Sequence, residues 1–312
     1  MQRLPSMSPA TYRRVTLVAL VALVFIIVTG GAVRLTGSGL GCSDWPGCTQ
    51  DEFVAPLELH PMVEWVNRLI TGVVSVAVAL AVLGSLARTP RRRNLTWLSL
   101  GLVAGVLGQI VLGGLTVLFE LAPPFVMGHF LLSLALVANA VVLHHRAGTA
   151  EPADTATGHT DRRGAPVHDV ARRLTLALAP AAAVAVITGT IVTATGPHGG
   201  DEDARRFGFA IESVARVHSL AVVVFLALVL ALVGRLTRDG GPPELARRAR
   251  HLLAVGSAQA VLGWVQYFTD VPVLLVGLHI FGATLVWIAT CRVVLAVDPS
   301  PVPAAVPLRQ TV

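Results

Sequence analysis

The chain has 312 residues, 54% of them hydrophobic and only 13% charged, with a mean hydropathy of +0.71. Those proportions exclude an ordinary soluble domain and indicate an integral membrane protein. The net charge of +6 is carried by arginine alone, since all 24 basic residues are Arg, and its distribution over the loops reads as a topology signal rather than a nucleic-acid footprint.

Apolar runs of spanning length occur at about 15–34, 66–87, 95–118, 124–144, 173–195, 214–234, 251–269 and 272–294. They predict eight transmembrane helices and an all-α fold. The first run follows Arg13 and Arg14, as in a signal peptide. It lacks a small-x-small cleavage site and passes into a long polar segment, so it reads as a retained helix. Arginines cluster before the first helix and in the second, fourth and sixth loops, at Arg88, Arg91, Arg146, Arg172, Arg235 and Arg247 among others. The positive-inside rule therefore places both termini in the cytoplasm of a multi-pass plasma-membrane protein. Residues 147–170 and the tail 297–312, rich in Pro, Ala, Gly and Thr, read as a disordered linker and a disordered end.

Along the chain, polar residues gather near the non-cytoplasmic helix ends. Arg34 closes the first run, and Cys42 and Cys48 bracket Ser-Asp-Trp-Pro-Gly in the loop after it. An oxidising exterior favours a disulfide there over two free thiols, and one Cys pair is only half a zinc ligand set. His60, Glu64, Asn67 and Arg68 then open the second helix. Glu64 stands one turn before Asn67 on the same face, although a carboxylate at a helix start is also favoured by the dipole alone. Gln109, Gln259 and Gln266 are mid-membrane amides suited to interhelical hydrogen bonds. His129, Arg216, His218 and His279 complete the set. At about 1.5 Å of rise per residue, all of these end-residues lie within roughly 10 Å of the outer surface. Arg34 and Arg68 there suit carboxylates, or simply snorkel to the interface. Ionisable groups inside membrane helices usually serve a function, and a histidine on each of two helices suits axial ligation of a haem iron. Hydrogen-bonded core histidines would look the same in isolation.

The linker separates two similar halves. Thr29-Gly30 recurs as Thr188-Gly189, Gln109 and Gly113 recur as Gln259 and Gly263, and His129 recurs as His279. Four helices per copy make the repeats parallel, predicting bundles at 1–146 and 171–296. Val66-Asn67-Arg68-Leu69 aligns with Val217-His218-Ser219-Leu220. The second half thus has a His218/His279 pair, whereas the first has His129 opposite Asn67, with His60 the one nearby histidine that could stand in. A bis-His site holds a haem firmly; a one-His site leaves a position for exchange or chemistry.

The run Gly30-Gly31-Ala-Val-Arg34-Leu-Thr-Gly-Ser-Gly39-Leu-Gly-Cys42-Ser-Asp44-Trp45-Pro46-Gly-Cys48 resembles the signature of the haem A synthases, and Glu64-Trp-Val-Asn67-Arg68, His129, His218 and His279 fall at that family's later helix motifs. The resemblance covers nearly the whole chain. It implies an eight-helix membrane oxidoreductase that converts a ring methyl of haem O to a formyl group, through an alcohol and a hydrated aldehyde, to give haem A. It implies that His218 and His279, with Arg216, hold a resident haem b in the C-terminal half. It also implies that His129, Asn67, Arg34 and Arg68 receive the substrate haem, that Glu64 is the essential carboxylate, and that Cys42 and Cys48 form a disulfide. Asn67 departs from the histidine many members carry there. Haem O synthase and a membrane electron donor or acceptor are the implied partners. The rival expectation is a quinol-oxidising di-haem b cytochrome, which requires two fully ligated sites.

Overall fold

A computed structural model describes residues 6–149 and 169–297. The expected linker falls largely, and the tail almost wholly, outside the described residues. The described residues form eight helices: α1 (Pro9–Leu35), α2 (Leu59–Ala87), α3 (Arg93–Leu118), α4 (Pro123–Ala147), α5 (Asp169–Thr195), α6 (Ile211–Arg238), α7 (Pro243–Phe268) and α8 (Val273–Val294). Their starts follow local chemistry. Ser8 caps α1 by accepting the Thr11 N–H at 3.1 Å, and proline opens α1, α4 and α7, where a missing N–H costs nothing.

Seven of the eight are long and apolar enough to cross a membrane, which makes the chain a multi-pass membrane protein. The expected eighth span, α7, is the exception. Arg247, Arg248 and Arg250 crowd its first turns, and Gln259 and Gln266 dilute the rest. It nevertheless packs between α6 and α8 along its length.

The helices close into two rings. In the first, α1 packs on α2 and α4, α2 on α3, and α3 on α4; in the second, α5 packs on α6 and α8, α6 on α7, and α7 on α8. The rings meet through α1, α4, α5 and α8. With lipid as apolar as any side chain, close approach and interhelical hydrogen bonds do the joining. A side chain at Gly105 would collide with Leu136, and one at Gly101 would meet the Asn139 amide at 2.9 Å. Tyr12 and Ser99 bond at 3.0 Å between α1 and α3, and the Trp287 indole N–H reaches the Leu134 carbonyl at 2.9 Å across the two rings.

Buried apolar residues concentrate at one end. They run Tyr12–Ile27, Val74–Ala81, Leu95–Val106 and Leu134–Ala147 in the first ring, and Ala171–Ala182, Phe225–Leu236, Leu245–Leu252 and Ala289–Val293 in the second. In every helix this is the end that joins the arginine-rich loops. The opposite end carries Asn67, His129, His218 and His279, with a smaller buried cluster of Cys42, Cys48, Ala55 and Trp65.

Matching turns lead into the histidine helices. Glu120 and Leu121, between α3 and α4, have φ of 51° and 55°; Asp270 and Val271, between α7 and α8, have 60° and 56°. Left-handed backbone is costly for side-chain-bearing residues and most of all for a β-branched one such as Val271. Both turns are closed the same way, Leu121 N–H to Thr116 O and Val271 N–H to Gln266 O, each at 2.8 Å. Each turn starts a helix whose histidine comes eight residues later.

Candidate functional site

In the second ring, His218 sits in the second turn of α6 against α5. Its Nδ1 lies 3.0 Å from the Ala185 carbonyl and 3.3 Å from Thr188 Oγ1. A carbonyl can only accept, and the Thr188 hydroxyl lies within donating distance of Val184 O, at 2.8 Å, and of Ala185 O. Nδ1 therefore carries the proton and Nε2 keeps its lone pair, the tautomer a metal-binding imidazole needs. His279, on α8, is placed by α7. Gln259 Nε2 donates to the His279 carbonyl at 2.8 Å, and Gly263 leaves room for the ring.

The first ring repeats this construction with one substitution. Asn67 Oδ1 accepts a hydrogen bond from Thr29 Oγ1 at 2.8 Å, so Thr29 addresses residue 67 as Thr188 addresses residue 218. Gln109 Nε2 donates to the His129 carbonyl at 3.0 Å and to Ser133 Oγ at 2.7 Å. Nδ1 of His129 and Nδ1 of His279 are both buried, with no hydrogen-bond partner among the described residues.

Glu64 and Arg68 stand one turn apart at the start of α2, and the structure gives them partners that spacing did not announce. Glu64 is buried; its Oε2 accepts the Cys42 N–H at 2.9 Å and its Oε1 pairs with Arg68 at 2.5 Å. Arg68 also donates to the carbonyls of Asp44, Pro46 and Gly47 and lies 4.9 Å over the Trp45 ring. Cys42 and Cys48 are bonded, with sulfurs 2.06 Å apart, and both are buried. The ion pair thus clips the Cys42–Cys48 loop onto α2.

The other expected residues are dispersed. Arg34 reaches into the second half, donating to His198 O at 2.6 Å and Thr193 O at 3.0 Å. Arg216 is exposed near the start of α6, with no hydrogen bond or ion pair among the described residues. His60 is exposed, its Nδ1 3.0 Å from Ser38 Oγ. His198 is the loop residue its sequence suggests, but it is also a tie, with Nε2 2.8 Å from Val271 O. Thr29 and Thr188 were visible only as repeated letters. Their role depends on which neighbouring helix each hydroxyl meets.

This end can hold a group that is flat, largely apolar and gripped by imidazoles from two helices. The two large hydrophobic clusters lie at the other end, and among the described residues Nδ1 of His129 and of His279 makes no hydrogen bond that would compete with a bound group. Among the described residues no group of three or more His, Cys, Asp or Glu could hold a bare ion. Pairs of histidines suit a metal whose other ligands come from a macrocycle, as in haem.

Comparison with known proteins agrees. The family model COX15-CtaA, described as cytochrome oxidase assembly protein, matches residues 13–198. The chain is similar to haem A synthases of Bacillus licheniformis (29% identical over 128 residues, 41% of this chain and 42% of the relative) and Bacillus pumilus (32% over 133 residues, 42% and 43%). It also resembles that of Shewanella oneidensis (31% over 146 residues, 41% and 43%). The aligned stretch spans less than half the length of each of these relatives. The family match covers more than half of the chain, and the protein belongs to the COX15-CtaA family.

Proposed function

We propose that the protein is a haem A synthase, which oxidises a ring methyl of haem O to a formyl group and so provides haem A for cytochrome oxidase. The observation that carries this reading is the unequal pair of sites. One frame is built twice: Thr29 bonds Asn67 where Thr188 reaches His218, and Gln109 and Gln259 bind the carbonyls of His129 and His279, so the first half has an amide where the second has an imidazole. A cofactor that stays and a substrate that must leave call for that inequality.

In this reading residues 171–296 hold haem b on His218 and His279, and Arg216, unengaged by protein, meets a propionate. When bound, haem b supplies one-electron redox chemistry. Residues 1–146 receive haem O, with His129 on one face of its iron and Asn67 on the other. Arg34, bonded to two backbone carbonyls, acts there as a positive charge, and Arg68 orients Glu64. Glu64 is the catalytic carboxylate. Bonded to Arg68 and to the Cys42 N–H, it takes protons from, or stabilises positive charge at, the methyl edge of the substrate. The Cys42–Cys48 loop faces outward, both termini are cytoplasmic, and the membrane is the plasma membrane. Haem O synthase and a membrane electron donor or acceptor are the partners.

The test is a pyridine haemochrome spectrum with extracted-haem chromatography of the full chain purified from haem O-producing cells. Haem b together with haem O or haem A is expected. Haem b alone would favour an electron-transfer cytochrome, and no haem would defeat both readings.

A further inference from the structure

Two of the helices that carry no ligand, α3 and α7, present the same two residues to the histidine helices beside them. Gln109 and Gly113 on α3 are four apart, as are Gln259 and Gly263 on α7, so each pair lies on one helix face a turn apart. The amide binds the histidine's own carbonyl: Gln109 Nε2 to His129 O at 3.0 Å, Gln259 Nε2 to His279 O at 2.8 Å. The glycine sits beside the imidazole. A Cβ on Gly113 would lie 3.5 Å from His129 Cε1, an ordinary contact, but one on Gly263 would lie 2.9 Å from His279 Cε1, closer than real atoms come.

The surroundings are shaped to keep the second amide in place. Any side chain at Gly282, three residues beyond His279, would run into Gln259 Oε1. The first half has Leu132 at that position, and there Leu132 packs against Gly108 instead, a Cβ on which would meet it at 3.0 Å. Ser133 supplies the amide's second acceptor. His218 has a counterpart shelf: a Cβ on Gly189 would come within 3.0 Å of its Cε1.

We propose that Gln259 and Gly263 are positioning residues for His279, the amide fixing the depth and rotation of α8 and the glycine fixing the plane of the imidazole. Gln109 and Gly113 hold His129 the same way with more clearance. The proposal rests on the reading of His279 as a haem b ligand. A histidine carbonyl inside a helix already serves the helix ladder, so a second donor on it pins the ligand's backbone rather than satisfying an orphan. A ring pressed against a bare helix backbone has one orientation available, and the orientation of an axial imidazole sets the electronic state of a low-spin iron.

The experiment uses the full chain purified with its haem. Gly263→Ala and Gln259→Leu are compared with wild type, with His279→Ala, and with Gly113→Ala as the control for adding a methyl group to a membrane helix. The readouts are haem b content, the g-values of the low-spin electron paramagnetic resonance signal, and the rate of haem transfer to excess apomyoglobin. Gly263→Ala and Gln259→Leu should retain haem b, shift the largest g-value, and lose haem about 10- to 100-fold faster than wild type. Gly113→Ala should leave the haem b signal unchanged, and His279→Ala should abolish it. Unchanged g-values and transfer rates in both variants, with haem b still lost in His279→Ala, would overturn the positioning role and leave the ligand assignment standing. Absence of both variants from the membrane fraction would also overturn it, since residues that only position a ligand leave a folded protein. Wild type without haem b would instead overturn the ligand reading.

Discussion

The two halves share a frame down to single hydrogen bonds and differ where the reaction is placed. Thr29 and Thr188, Gln109 and Gln259, and the left-handed turns at Leu121 and Val271 occupy matching places. Asn67 and His218 do not match, and neither do the loops beyond them. The first half alone carries the disulfide loop, clipped by Glu64 and Arg68. Duplication supplied the mounting; under the proposed function, divergence at one helix start and one loop separates keeping a haem from acting on one.

The largest expected effect separates the halves outright. His218→Ala or His279→Ala should remove the haem b Soret band from the purified protein, whereas His129→Ala should keep it. Loss of haem b in all three would mean that the halves do not hold separate haems. Next comes Glu64→Gln, which removes the charge and nearly keeps the shape. In cells with no other source of haem A, its haem A output should fall about 10²-fold, the scale of a lost proton-transfer group. Haem O or the alcohol should accumulate, with haem b unchanged; normal haem A would end the catalytic assignment.

A milder change makes the halves alike. Asn67→His puts an imidazole beside Thr29, as His218 stands beside Thr188. Substrate haem should co-purify in greater amount and turnover should slow, with haem b unaffected. An unaltered haem complement would show that residue 67 does not face the substrate iron. The smallest effect concerns the loop that only one half possesses. A membrane-impermeant thiol reagent should label Cys42 and Cys48 in intact cells only after reduction. Labelling without reductant would deny the disulfide, and labelling only after the cytoplasmic side is opened would reverse the topology.

Much of this was legible in the sequence because membrane helices declare themselves through composition and repeats through position. The eight helices, the His129/His279 correspondence and the interhelical roles of Gln109 and Gln259 could be read directly. The span strength of α7 could not, because its apolar run is interrupted by two amides, Gln259 and Gln266, of which Gln259 bonds the His279 carbonyl. Arg34 and Arg68 were placed at the correct end, but their partners are backbone carbonyls, and a carbonyl has no letter in a sequence. The grip on Glu64 comes from the Cys42 N–H, which is equally silent.

Arg34 has one more consequence. Its hydrogen bonds go to two carbonyl oxygens, and among the described residues no carboxylate pairs with it. Carbonyl dipoles solvate a guanidinium but do not cancel its charge, so a net positive field persists at the seam where the two halves meet. In a low-dielectric surrounding such a field reaches well beyond hydrogen-bond distance. An arginine that mechanically staples one half to the other can therefore also draw acidic groups toward that end of the protein without touching them.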